Sequence, residues 1–235
     1  MKKHVTLFSS VLMMSTTLLG AGGVFATTSV DETNPNPGSA STPVTTRLTI
    51  NETPTTPTPP KGEEGGADEG TGISGTYGIA YVPGQLSGQA ELQESGEQQV
   101  DLAKDNKVKY NVGVQDKTRK NDQKWVLKAK LAWTEDTNSY MKGTKITATN
   151  GTVMENKEGV LSGLTDSQVT TSASNLTIEQ ESEVEVMKAN SGKTMNGVYN
   201  YQFQSPKLII PNPEKVAAGS YSGTINWNLV NAPEL

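Results

Sequence analysis

Tyr221-Ser222-Gly223-Thr224-Ile225-Asn226-Trp227-Asn228-Leu229 is a stretch of strict alternation near the end of the chain. Its odd positions carry aromatic, aliphatic or glycine residues, and its even positions carry only serine, threonine and asparagine. This period of two predicts a half-buried antiparallel strand with Trp227 and Leu229 on one face. The same Trp-x-Leu spacing occurs at Trp125-Val126-Leu127, in a second predicted strand that continues to Trp133. The three tryptophans of the chain therefore lie on these two strands.

Nine or ten short strands are predicted after residue 73, and no segment shows a helical period. Residues 108–114 alternate clearly, whereas the polar residues 134–175 are expected to form long loops with one or two strands. The turn pair Asn150-Gly151 is expected to end a strand that begins at Lys145. This pattern predicts an all-β fold, either an antiparallel β-sandwich or a barrel-like single domain.

The first 72 residues have a different composition. Residues 1–26 predict a secretory signal peptide, with a charged start, an apolar run and a cleavage site at Val24-Phe25-Ala26. Residues 27–72 are rich in Thr, Pro and Gly and are predicted to be a disordered linker before the β domain of residues 73–235. We therefore expect a secreted protein without a membrane span, because no second apolar run follows the signal.

Composition excludes several kinds of chemistry. The only histidine is His4, inside the signal, and there is no cysteine, which removes Ser-His-Asp and Cys-His nucleophiles and the usual zinc sites. A net charge of −5 argues against a nucleic-acid partner. Two carboxylates could still hydrolyse a glycoside. The alternating acids instead predict an exposed strand edge, or a contact with Ca²⁺ or with a basic partner, and not an acid/base pair in a cleft. These acids are Glu179, Glu181, Glu183 and Glu185. We therefore expect no enzyme, and we assign no metal site and no cofactor.

The two Trp-x-Leu motifs occur in a wider context. The second lies within Gly219–Pro233, where Tyr221 precedes it and Asn231-Ala232-Pro233 follows it. In this context the chain resembles the WxL-domain surface cell wall-binding proteins of Gram-positive bacteria. One departure is Asn121–Lys124, which stands where members often have a glycine before the first tryptophan. The resemblance implies non-covalent attachment to peptidoglycan or another wall polymer, and partnership with other surface proteins of the WxL system.

The motif residues have two interpretations. Their alternation favours core packing, since a buried tryptophan removes a large apolar area from water. The alternative is an open aromatic face that stacks on glycan rings and is extended by Tyr221. The candidate wall-binding residues are Trp125, Leu127, Trp227, Leu229 and Tyr221.

A basic stretch gives a second candidate surface. Nine basic and three acidic residues lie between residues 104 and 130. Such a cluster could meet anionic wall polymers, or it could be an ordinary solvated face. The candidate residues are Lys117, Arg119, Lys120, Lys124, Lys128 and Lys130.

Two functions follow as expectations. The first is a secreted surface protein held non-covalently on the wall by residues 73–235. The second is a protein-interaction module, such as an adhesin or a subunit of a cell-surface complex.

Overall fold

The structure is a computed structural model that describes residues 35, 37–64, 68–103, 109–190 and 192–231. The signal peptide predicted for residues 1–26 lies outside this part of the chain. Contacts divide the chain into two compact units, Met1–Arg47 and Leu48–Leu235, and every strand of the described residues belongs to the second. None of the described residues forms a helix that is long and apolar enough to cross a membrane.

The second unit is built from strands joined by loops and by two short 3-10 turns, Gly62–Glu64 and Pro213–Lys215. In the described residues the strands are β1 Asp68–Gly70, β2 Tyr77–Pro83, β3 Gln98–Asp101, β4 Lys109–Asp116, β5 Trp125–Trp133, β6 Lys145–Lys157, β7 Val160–Ser162, β8 Val169–Thr170, β9 Leu176–Ile178, β10 Val184–Ala189, β11 Gly197–Ile210 and β12 Gly223–Asn231.

The strands form two antiparallel sheets. Sheet A has the order β1-β2-β4-β11-β6-β7, with β3 paired to the second half of β11 and β9 paired to β6. Sheet B has the order β12-β5-β10-β8. The prediction of an all-β antiparallel fold is confirmed.

One apolar core lies between the sheets. Tyr199, Tyr201 and Phe203 point into it from β11, at every second position, and Trp125 and Leu127 point into it from β5. The rings of Trp125 and Tyr199 lie 6.1 Å apart between centroids. The period-2 pattern therefore places the aromatic side chains of both sheets in one cluster.

The turn predicted at Asn150-Gly151 is wrong, because β6 continues through it. Asn150 takes a positive φ of 55°, and the pairing with β11 shifts register between Gln202 and Gln204. Two residues of β6 thus face one of β11, which is a β-bulge. The Asn150 amide donates to Gln204 Oε1 at 3.0 Å, and the Gly151 amide N–H donates to Ser174 O at 2.9 Å. These hydrogen bonds to residues distant in the sequence keep Asn150 and Gly151 within strand β6.

Strand β11 is also longer than its two apolar runs suggest. It joins them through Ser205, whose φ is 49°, and the buried Pro206, where the pairing with β6 shifts again. Its first half pairs with β4 and its second half with β3. The final strand begins at Gly223 and ends at Asn231, so Tyr221 precedes it.

Part of the segment predicted to be linker packs on the domain. We call residues 55–61 the strap. Pro57 and Pro60 of the strap are buried, and β1 pairs with β2 further along the chain. The residue at which linker gives way to domain stays a prediction, but residues 57–60 and 68–70 are structured in this fold.

Candidate functional site

The two motif strands are neighbours. Strand β12 pairs with β5 in an unbroken antiparallel register, from Gly223 opposite Trp133 to Asn231 opposite Trp125. Leu229 is directly opposite Leu127, and Trp227 is opposite Ala129. The fold therefore brings together two motifs that lie about a hundred residues apart in the sequence.

The first motif is closed to solvent. Trp125 and Leu127 are both 0% exposed and belong to the core between the sheets. The indole Nε1 of Trp125 donates a hydrogen bond to Asp116 Oδ2 at 3.2 Å. These two residues therefore have a packing role in the structure and present no surface to a ligand.

Asp116 is a buried carboxylate at the end of β4. Its Oδ2 also accepts from the Thr194 hydroxyl at 2.7 Å, and its Oδ1 accepts from the amide and the hydroxyl of Thr118 at 3.2 and 2.8 Å. These bonds compensate for the loss of hydration that a buried charge suffers. Burial, together with the charge of Asp116, raises the pKa of the Tyr77 hydroxyl to about 12. Sequence reasoning missed Asp116, because only its bonds to Thr118 are local enough to be signalled by an Asp-x-Thr spacing.

The second motif lies at an edge. Among the described residues β12 pairs on one side only, with β5. Its Ile225, Trp227 and Leu229 are half-buried and pack against the edge of the core. The polar residues between them are exposed, namely Thr224, Asn226 and Asn228. The two tryptophans of the paired motif thus differ in exposure, and only Trp227 has a surface that a partner can reach.

Tyr221 occupies the corner before β12. Its hydroxyl donates to Ala217 O at 2.7 Å. Its ring meets Tyr140 edge to face, with centroids 6.5 Å apart and an angle of 81° between the planes. Trp227 lies six positions further along the chain, a distance of roughly 20 Å in an extended strand. Tyr221 therefore belongs to a separate aromatic pair at the start of the strand.

The candidate basic residues divide into two groups. Lys128 and Lys130 lie on the outer face of sheet B, as their parity in β5 predicts. Lys128 Nζ lies 3.6 Å from Glu183 Oε2, and Lys130 Nζ donates to Glu181 O at 3.3 Å. Glu183 also accepts a hydrogen bond from the Asn228 amide at 2.9 Å. The acidic run and the basic strand therefore meet, which reduces the local positive charge.

The other four basic residues lie in the β4–β5 loop. Arg119 and Lys120 are exposed, whereas Lys117 and Lys124 are half-buried. Arg119 has a φ of 58°, and its amide N–H donates to Met195 O at 2.9 Å, so a neighbouring loop supports the backbone. Gln123 Nε2 donates to Asn231 Oδ1 at 3.3 Å, which connects this loop to the end of β12. We call Lys117, Arg119, Lys120 and Lys124 the basic loop.

The predicted acidic strand is shorter than its alternation suggests. Only Glu185 lies in β10, and the three acids before it lie in the connection from β9. Glu185 is paired with Lys188 at 3.2 Å, and it lies opposite Lys128 in the register. In the part of the chain that the structure describes, no group of three or more acidic or histidine side chains could hold a metal ion.

Comparison with known protein families gives a match over most of the chain. The family described as WxL domain surface cell wall-binding matches residues 33–233 of this chain. No curated protein and no solved structure matches it significantly.

Proposed function

Because the chain belongs to the WxL domain surface cell wall-binding family, we propose that it is a secreted protein held non-covalently on a Gram-positive wall. Residues 73–235 would form the attachment, with peptidoglycan as the ligand. The family is one of cell wall-binding proteins and not of enzymes. Association with the cell surface thus follows from family membership, and the proposal adds the polymer, the secretion and the surface that binds.

The difference in exposure between the two motifs carries the choice of surface. Trp125 and Leu127 have no exposed area, whereas Trp227 and Leu229 keep part of theirs. In this proposal the buried residues of the first motif hold β5 in place, and β5 in turn positions the second motif on the neighbouring strand β12. Trp227 contacts the apolar face of a sugar ring, and the exposed amides of Asn226 and Asn228 hydrogen-bond to sugar hydroxyls.

The basic loop supplies the electrostatic part of the proposal. It adjoins the end of β12 through the bond between Gln123 and Asn231, so its charges lie beside the motif strand. Peptidoglycan peptides carry carboxylates, and wall teichoic acids carry phosphates. Exposed cations attract either group, and salt screens that attraction. Tyr221 lies at the other end of β12 and would form a separate contact.

Sedimentation with purified sacculi tests the attachment. Sacculi with and without wall teichoic acid should both carry the full chain into the pellet, since peptidoglycan is the proposed ligand. Trp227→Ala should weaken retention about tenfold, the effect of losing about 1.4 kcal/mol of binding. A chain that stays in the supernatant with both preparations contradicts wall binding.

Trp133→Ala is the matched control for the aromatic surface. Trp133 is also half-buried, packs on the same core and covers Gly223 of β12. Circular dichroism and a denaturation curve for each variant separate folding from binding. If the folded Trp133→Ala variant loses retention as much as Trp227→Ala does, Trp227 has no special role at the wall.

A protein-interaction module is the second candidate, and the open edge of β12 favours it. This edge runs for nine residues with no charge, no proline and no shift of register. Exposed edges of this kind accept further strands unless such features block them. Retention on cells stripped of surface proteins discriminates between the candidates. A protein partner requires that retention be lost on stripped cells, and a polymer ligand requires that it persist.

A further inference from the structure

The strap is held in a groove on the outer face of sheet A. Pro57 and Pro60 are both buried, although their composition alone predicts a solvated linker. The groove faces away from the core between the sheets. It is a separate surface from β12, and it adjoins the basic loop, since Lys117 Nζ donates to Thr55 O of the strap at 3.5 Å. Neither the family nor the proposed function assigns the groove a role.

Asn156 of β6 is the central contact of the groove. Its Nδ2 donates to Thr58 O of the strap at 2.8 Å and to the Tyr81 hydroxyl at 2.9 Å. Its Oδ1 accepts from the amide N–H of Gly159 at 2.8 Å. The Tyr81 hydroxyl donates in turn to Asn200 Oδ1 at 2.9 Å. The amide that recognises the strap is therefore buried and fixed on both sides.

Gly159 forms the other end of the groove. Its carbonyl accepts from the amide N–H of Lys61 at 3.0 Å. A Cβ added at this position would lie 3.1 Å from Pro59 O, and the φ of 90° is one that only glycine adopts easily. The hairpin between β6 and β7 thus lets the strap backbone approach closely.

These contacts fit a particular class of ligand. A proline-rich segment favours the polyproline II conformation, which has no internal hydrogen bonds and leaves its carbonyls free. Grooves that recognise such segments combine an aromatic ring with side-chain donors to those carbonyls. Asn156 supplies such a donor here, and its bond to the hydroxyl of the buried Tyr81 holds its amide in place.

We propose that this groove is a docking site for an extended proline-rich segment, and that the strap of one molecule can occupy the groove of a second copy. Few polar contacts hold the strap in its own groove, so it belongs to the parts of the fold that open at low cost. The 3-10 turn that follows the strap begins at Gly62, which has a positive φ of 67° that glycine adopts easily. Exchange makes the same contacts in trans, and high local concentration, as on a surface, favours it.

Binding of a labelled peptide with the sequence of residues 52–62 tests the groove. The full chain with Pro57→Gly and Pro60→Gly has a weakened strap and should bind the peptide about tenfold more tightly than wild type, where the strap competes. Pro37→Gly with Pro43→Gly, both at exposed positions, should behave as wild type. A peptide with glycine in place of the two buried prolines should not bind. Equal binding by weakened-strap and wild-type chains, or by both peptides, overturns the site.

Mixing two damaged chains tests the exchange. One chain carries Pro57→Gly and Pro60→Gly and keeps its groove, and the other carries Asn156→Ala and keeps its strap. Light scattering after size-exclusion chromatography should show a one-to-one dimer only in the mixture. If the mixture stays monomeric at concentrations well above the dissociation constant of the peptide, the strap does not exchange between copies.

Discussion

At the scale of single residues, the exposure of Trp125 and Trp227 separates two roles that their shared motif conceals. Trp125 is closed off by the core and by a buried carboxylate, whereas Trp227 lies on an edge strand. A substitution at Trp125 therefore measures folding first. Only substitutions at the second motif can report on a surface contact without removing a fully buried ring.

Asp116→Asn should lower the free energy of unfolding by about 2–4 kcal/mol, because one side of the amide cannot accept the bonds that Oδ2 now receives. Trp125 Nε1 and the Thr194 hydroxyl would then lack an acceptor in the core. Urea denaturation followed by circular dichroism measures the change. Asp122→Asn makes the same exchange at an exposed position and should alter stability by less than about 0.5 kcal/mol. Equal effects at both positions would show that Asp116 is not a structural centre.

The buried tyrosines should make the fold sensitive to alkali. Burial raises the pKa of Tyr77 from 10.0 to about 12, and burial also raises the pKa values of Tyr81, Tyr199 and Tyr201. Since these folded pKa values lie above the unfolded value, the associated stability is present below about pH 10 and is lost as the pH rises through them. Urea denaturation from pH 8 to pH 12 should show a constant free energy of unfolding and then a fall. An unchanged value at the alkaline end contradicts this account.

At the scale of elements, the bulge in β6 depends on a close approach at Gly151. A Cβ on this residue would lie 2.0 Å from Ala173 O and 2.3 Å from the Tyr201 hydroxyl. These two atoms are themselves hydrogen-bonded at 2.6 Å. Neither can move away from the other without weakening that bond.

Gly151→Ala should therefore lower the free energy of unfolding by about 3 kcal/mol, at the upper end of what overpacking costs. Gly163→Ala is the matched control, since no atom lies within 4 Å of its added Cβ. Thermal or urea denaturation of both variants measures the difference. Stability of Gly151→Ala within about 0.5 kcal/mol of wild type would mean that the bulge relaxes freely.

The sequence predicts a strand correctly where its alternation of apolar and polar residues agrees with the buried and exposed faces of the sheet. Strand β5 begins at Trp125 and ends at Trp133, where the alternation places it. The Asn150-Gly151 pair fails as a turn signal because Gln204 and Ser174, which are distant in sequence, bind it within a strand. Asp116 is invisible for the same reason, since Thr194 reaches it from 78 residues away. Local sequence does not encode which distant groups satisfy a buried polar atom.

At the scale of the whole molecule, the fold redistributes charge that the sequence concentrates. Lys128 forms an ion pair with Glu183, and Lys130 donates to the backbone carbonyl of Glu181, whereas Arg119 and Lys120 of the basic loop are exposed. Wall retention that depends on charge should therefore depend on the loop and not on the strand.

Reversal of Lys117, Arg119 and Lys120 to Glu should weaken retention on sacculi and flatten its dependence on salt. The control reverses Lys142, Lys157 and Lys215, which are exposed elsewhere and give the same change in net charge. Sedimentation at increasing salt concentration compares the two variants. If both lose retention equally, only net charge matters. If neither does, electrostatics make no contribution.

The strap also determines how the protein would respond to force. A force applied to the chain before Thr55 acts on the strap first. The few hydrogen bonds that connect the strap to the rest of the domain would therefore break before the sheets are loaded. Peeling the strap and β1 away frees residues 55–70, roughly 55 Å of contour length at full extension. The other strands of the two sheets would carry no load until that length is drawn out. Under tension, residues 55–70 would extend before the rest of the β domain is loaded. This segment would dock again when the tension ends.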